Sequence, residues 1–143
     1  MRTPADSEVV RIVEARASAI GRADVEAMLA DVADDVVVFD VVDPLRRTGR
    51  AAVRERAAEW VASYDGPITW QDRDVVVVAS GDVAFVAMLS RVTGILKAGN
   101  RVDMWFRKTL GLQRRDGRWL ITHDHASVPF DPTTGKASLG LEP

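Results

Sequence analysis

Apolar residues at helical spacing open the chain. Val9, Ile12, Val13, Ala17 and Ile20 recur at three- to four-residue intervals, with Thr3, Pro4 and Asp6 ahead of them and Gly21 behind. Thr as N-cap, Pro in the first turn and an acid near the N-terminus predict a helix that starts at 3 and stops at Gly21. Val25, Met28 and Leu29 predict a shorter helix over 23–31, and Val53, Ala57, Trp60 and Val61 a third over 50–63, after Thr48-Gly49. Beyond Gly66-Pro67 the period changes to two. Stretches 68–79, 82–96, 101–115 and 118–129 are rich in Val, Ile, Trp and Phe. Ser80-Gly81-Asp82, Ala98-Gly99-Asn100 and Asp116-Gly117 separate them with the turn chemistry of β-hairpins. Two of the predicted strands are about three times the usual five or six residues, and Gly94 and Gly111 inside them suggest bulges or bends. Long strands bent in mid-course give a curved antiparallel sheet whose concave face needs cover. The expected fold is therefore an α+β cone: three N-terminal helices over one sheet, with a pocket between. Residues 1–143 read as one domain, with 130–143 an irregular tail.

One polar residue interrupts the apolar pattern before the meander begins. Asp40 follows Val36-Val37-Val38-Phe39 and precedes Val41-Val42, so on a buried strand its charge sits where charge is expensive. Acid–base chemistry and a structural ion pair both produce that arrangement. Alternation over 101–115 puts Asp103, Trp105, Arg107 and Thr109 on one face, and Met104, Phe106, Lys108 and Leu110 on the other. The last strand divides into Trp119, Ile121, His123 and His125 against Leu120, Thr122, Asp124 and Ala126. A one-residue slip exchanges the two sets, so either could face inward.

The segment Ala33-Asp34-Asp35-Val36-Val37-Val38-Phe39-Asp40, followed by Arg47-Thr48-Gly49-Arg50-Ala51-Ala52-Val53-Arg54, resembles the ketosteroid isomerases of the nuclear transport factor 2-like superfamily. The C-terminal Asp116-Gly117-Arg118-Trp119-Leu120-Ile121-Thr122-His123-Asp124-His125-Ala126-Ser127 is similar to a SnoaL-like (polyketide cyclase) subgroup whose last strand ends in His-x-His-x-Ser. The resemblance covers nearly the whole chain and implies the same cone. It also implies that Asp40 occupies the general-base position. The two oxyanion donors of ketosteroid isomerases are replaced, the tyrosine by Arg16 and the protonated aspartic acid by about Thr109, so the steroid reaction itself is not expected. If Thr109 keeps its family position, Asp103, Trp105 and Arg107 line the pocket with it. Arg107 then either holds a ligand carboxylate, phenolate or enolate, or pairs with Asp40 or Asp103. A gapless transfer points Thr122 and Asp124 inward, whereas a single bulge swings His125 in. The implied catalytic set is Asp40 as base with Arg107, Thr109 and His125 stabilising an enolate. Arg16, Trp60, Asp103, Trp105, Thr122, His123 and Asp124 complete the ligand site. The expected activity is isomerase- or cyclase-like proton transfer on a small, apolar carbonyl or aromatic compound. The alternative is a non-catalytic binding or accessory protein on the same fold.

Composition narrows the partners. The net charge is −2 and the 19 basic residues are dispersed, so no nucleic-acid footprint is present. Without cysteine there is neither a disulfide nor a thiolate metal site. His123 and His125 are the two histidines and lack a third ligand of obvious spacing, so no metal is expected. No phosphate loop or dinucleotide fingerprint occurs, so no cofactor is expected. No apolar run approaches the length that spans a bilayer, and the start of the chain lacks an apolar targeting segment; the expectation is a cytoplasmic protein without a membrane partner. Met104, Phe106 and Leu110, taken as facing outward, predict a homodimer through the convex face of the sheet.

Overall fold

A computed structural model describes residues 1–143. Helix α1 (Pro4–Gly21) starts with a capping box: the Asp6 amide donates to Thr3 Oγ1 at 3.1 Å, and the Thr3 amide to Asp6 Oδ2 at 2.9 Å. Its inner stripe buries Val9, Val13, Ala19 and Ile20. The second helix, expected over 23–31, is a single turn, α2 (Val25–Met28), because Ala23 takes a left-handed φ of 53° and Asp24 starts a new cap. Strand β1 (Val32–Phe39) is twice the length of the apolar run that announced it, and β2 (Arg47–Thr48) pairs with it just ahead of α3 (Arg50–Ala62). The meander follows as β3 (Thr69–Ser80), β4 (Val83–Ile95), β5 (Arg101–Arg115) and β6 (Arg118–Ser127). No helix is long and apolar enough to cross a membrane.

The sheet runs β2-β1-β6-β5-β4-β3. Every pair is antiparallel except β1 with β6, which is parallel, so the sheet is curved and mainly antiparallel as expected. No hairpin joins those two strands; the whole meander lies between them, and so long a connection permits a parallel pair. Strand β3 shifts register between Arg73 and Val76, where Asp74 takes a φ of 55°. In β6 Ile121 pairs with Leu112 and His123 with Gly111, which leaves Thr122 as the extra residue of a bulge. The inner set therefore changes parity along this strand, from Trp119 and Ile121 to Asp124 and Ala126.

Gly94 plays a different part from the bend expected there. The β4–β5 ladder passes through it without a register shift, but a Cβ at this position would lie 2.6 Å from two ring carbons of Tyr64. Glycine is what lets the buried tyrosine ring close the open end of the meander. Two apolar clusters result. One joins α1, β1 and the middle of the sheet through Val9, Val36, Val86, Leu110 and Ile121. The other joins the end of α1 to β4, β5 and β6 through Ile20, Met28, Tyr64, Val92 and Phe106. Phe106 and Leu110 are thus core residues, and Met104 faces the same side. The outward placement of these three is overturned. Helix α3 has no fully buried residue, because Val53, Ala57 and Trp60 face a cavity rather than a packed layer.

Replacing Gly94 by Ala should lower stability by about 1–3 kcal/mol, the usual effect of forcing a methyl into a filled site. Chemical denaturation should show the loss with an unchanged slope. An unaltered midpoint would mean that the Tyr64 ring moves aside freely.

Candidate functional site

The three helices and the concave face of the sheet line a cavity of about 360 Å³, with 19 of its 26 lining residues hydrophobic. That ratio restricts any occupant to a molecule with a mainly apolar body. Aromatic rings in edge-to-face contact build one wall: Trp60 against Tyr64 at 5.4 Å between centroids, Trp60 against Trp70 at 6.3 Å, and Trp70 against Phe106 at 5.4 Å.

Charge enters this apolar space in two groups. The inner one is centred on Asp124. Arg16 Nη2, from α1, donates to its Oδ2 at 2.6 Å, and Lys108 Nζ, from β5, lies 3.1 Å from its Oδ1. The side chains of Arg16, Asp124 and Lys108 are only 19%, 8% and 10% exposed. Burial by itself would raise the Asp124 carboxyl, but the two cations outweigh it and hold the group well below the usual carboxylate range. Burial lowers the affinity of Lys108 for its proton; Asp124 opposes that and the neighbouring Arg16 adds to it. The lysine head also sits over the rings of Trp70 and Phe106, at 5.7 and 5.9 Å. Two further donors of Arg16, Nε and Nη1, are buried without a protein partner.

The second group is centred on Asp40. Its Oδ2 accepts from Arg47 Nη1 and from Arg56 Nε, both at 3.1 Å, and its Oδ1 from the Val41 amide at 2.7 Å. Arg47 is fixed further by donating to the Asp43 carbonyl at 2.6 Å. Four cations (Arg16, Arg47, Arg56 and Lys108) thus face two carboxylates on the cavity wall. No group of three or more His, Cys, Asp or Glu side chains gathers as a metal site would.

Of the residues singled out in the sequence, Asp40, Arg16, Trp60 and Asp124 line the cavity. The rest of the expected set lies elsewhere. Asp103, Trp105, Arg107 and Thr109 are on the outer face, because the inner face of β5 is the apolar set Val102, Met104, Phe106 and Leu110. Outside, Asp103 accepts both N–H groups of Arg91, whose guanidinium lies 5.8 Å from the Trp105 ring. Arg107 donates to Ser127 Oγ at 3.1 Å, and Thr109 is exposed opposite His125. The bulge holds Thr122 at the Gly111 carbonyl, 3.4 Å away. His123 Nδ1 lies 2.7 Å from the Val37 carbonyl oxygen, and both histidine rings meet the edge of Phe39. His125 is not swung in, because the bulge acts on a strand whose first half already faces inward with the odd residues.

Lys108, Arg47 and Arg56 were missed. Lys108 had a signal: it is the one polar residue interrupting the apolar set Met104, Phe106 and Leu110. Arg47 and Arg56 had none, since they reach Asp40 only through the β1–β2 pairing and the docking of α3.

A SnoaL-like domain family matches residues 9–131. A nuclear transport factor 2-like protein of unknown function from Pseudomonas putida KT2440 is similar over the whole chain and 99% of its own, at 30% identity and a TM-score of 0.91. A ketosteroid isomerase-like protein from Erwinia carotovora atroseptica SCRI1043 shares the fold at 22% identity and a TM-score of 0.75, over 88% of this chain and 97% of its own. A protein with a cystatin-like fold from Nostoc punctiforme does so at 16% identity and a TM-score of 0.71, over 92% and 95%. No curated protein matches the sequence.

The inner charge group predicts opposite outcomes for two substitutions. Asp124→Asn strands two buried cations and should cost about 3–5 kcal/mol, whereas Lys108→Met keeps the Arg16–Asp124 pair and should leave stability level or raise it. The Asp124 carboxyl binds its proton more weakly folded than unfolded. Its contribution is therefore complete above about pH 4 and declines as the pH falls further. Denaturation of both variants at pH 7 and pH 3 checks this; equal midpoints for Asp124→Asn and the wild type at pH 7 would contradict it.

Proposed function

This chain belongs to the SnoaL-like domain family, and on that premise we propose that its cone binds a small, mainly apolar organic molecule carrying one oxygen-bearing head, a carbonyl or a carboxylate. The observation that carries the reading is the cavity itself: an apolar body of space with four cations against two carboxylates on its wall. An apolar ligand body gains from leaving water, and a carbonyl or carboxylate oxygen gains from the cationic excess.

An acid–base enzyme using Asp40 as base draws on the same cavity but finds less support. A carboxylate offers about four acceptor sites, and three on Asp40 are taken by Arg47, Arg56 and the Val41 amide. Such a carboxylate serves best to fix two guanidiniums at the cavity wall.

The reading extends to a homodimer through the outer face of the sheet, on residues other than those first expected. Val76, Val78 and Phe85 are 53%, 48% and 47% exposed, and the register sets Val78 beside Phe85 and Val76 beside Ala87. Adjacent apolar side chains on the outer face favour a self-complementary contact.

Two experiments test these points. Thermal melts with benzoate, phenylacetate and acetophenone should show saturable stabilisation, about 2.7 kcal/mol at a hundred times Kd. Ala57→Phe, which fills the cavity from α3, should abolish it. A flat response across the panel would reject the ligand reading. Light scattering should give twice the 15.7 kDa chain mass, and Phe85→Glu should restore the single-chain mass; a wild-type mass of 15.7 kDa at micromolar concentration would reject the dimer.

A further inference from the structure

The chain uses arginine as its cation almost without exception: sixteen arginines against three lysines, Lys97, Lys108 and Lys136. Every ion pair in the structure is made by arginine apart from the one between Lys108 and Asp124. Lys97 and Lys136 are exposed, whereas Lys108 is enclosed on the cavity wall. A guanidinium would make the same contact to Asp124 and would remain charged. An amine can lose its proton and present a lone pair, and that is the chemical difference at this position.

We propose that Lys108 is a nucleophilic amine that condenses with a small apolar aldehyde or ketone bound in the cone, forming an imine. The inference rests on the cone being a small-molecule site, and it names the substrate class. Geometry supplies three requirements. The amine faces the cavity in which a carbonyl carbon would sit. Asp124 lies 3.1 Å from Nζ, close enough to pair with a cationic nitrogen, whether ammonium or iminium. Trp70 and Phe106 flank Nζ and limit water, which would hydrolyse the product. Charge favours the same residue. Arg16 already compensates Asp124 through the 2.6 Å contact, so the group of three carries one surplus positive charge. Only Lys108 can release it, since arginine does not deprotonate in proteins. The fall in its proton affinity agrees with that.

The condensation needs no co-reactant. One ammonium proton passes to solvent and the freed lone pair attacks the carbonyl carbon; the C–N bond forms as the carbonyl π bond opens onto oxygen. That proton and the second one lost from nitrogen go to the oxygen, the C–O bond breaks, and water leaves. Nitrogen keeps one hydrogen and the positive charge as the iminium, so Asp124 faces a cation before and after. An iminium draws electrons from the adjacent carbon, which suits the bound compound to aldol-type or isomerisation chemistry.

Reductive trapping tests the proposal on the intact protein. With benzaldehyde and sodium cyanoborohydride near neutral pH, intact mass should rise by one benzyl group, and peptide mapping should place it on Lys108. Labelling there should be clearly faster than at Lys97 or Lys136, because burial favours the neutral, nucleophilic amine at Lys108 while the two exposed lysines stay protonated. Lys108→Met and Lys108→Arg, with folding confirmed by their melts, should lose this fast label and retain only the slow surface one. Fast labelling of the N-terminal amine, Lys97 or Lys136 with Lys108 unmodified would overturn the proposal. If acetophenone and benzoate still stabilise the wild type in that case, the imine fails and the ligand reading stands. If they do not, both fail.

Discussion

The Asp124 carboxylate is the joint on which the closed cone depends. It stands on the last strand, downstream of the β6 bulge, and reaches α1 through Arg16 and β5 through Lys108. Helix, bulged strand and central strand are therefore tied at a single buried atom group. Ionic groups in such a place stabilise only when all are paired, because an isolated buried charge costs several kcal/mol. The clamp satisfies that condition for the carboxylate and leaves a surplus cation. The surplus gives the cavity a reactive wall, where a fully neutralised or apolar joint would have left only packing.

The bulge at Thr122 makes this joint available. Without it, the inner parity set by Trp119 and Ile121 would continue to His123 and His125, and Asp124 would point outward. One extra residue exchanges the sets, burying the acid and turning both histidines toward Phe39 and the outer surface. Gly111, opposite His123, belongs to the same adjustment: a Cβ there would lie 3.3 Å from the His123 Cβ. A local irregularity of the backbone, rather than the choice of residue types, thus determines which side chains face the cavity.

That explains how far the sequence could be read. The helices, the meander and the turns follow from periodicity and turn chemistry, which are local. The parallel β1–β6 pair and the shortness of α2 are set by distant contacts and by one left-handed residue. Asp40 was legible as a carboxylate on the cavity wall because it ends an apolar run, but its partners Arg47 and Arg56 arrive from other elements. The face of β5 was legible in its own alternation, where Met104, Phe106 and Leu110 form the apolar set. Family position points the other way, to Thr109 inside and Lys108 outside. On a half-buried strand the apolar set marks the inner face more directly than alignment to a relative, since burial of that set is what holds the strand in register.

The two acids on the cavity wall divide the labour accordingly. Asp40 holds two guanidiniums, groups that can bind an anion but cannot give up a proton, so its side of the cavity can recognise a ligand oxygen electrostatically. Asp124 holds one guanidinium and one amine, and the amine can change its protonation state. A carbonyl compound bound with its polar end near either group would meet different chemistry: retention at the first, bond formation at the second. The apolar space between them is lined by Trp60, Trp70, Met104 and Phe106, which exclude water without contributing reactive groups. Selectivity for the ligand body therefore falls to Trp60 and Met104 and reactivity toward its head to Lys108, while Trp70 and Phe106 serve both, since they line the space and flank the amine.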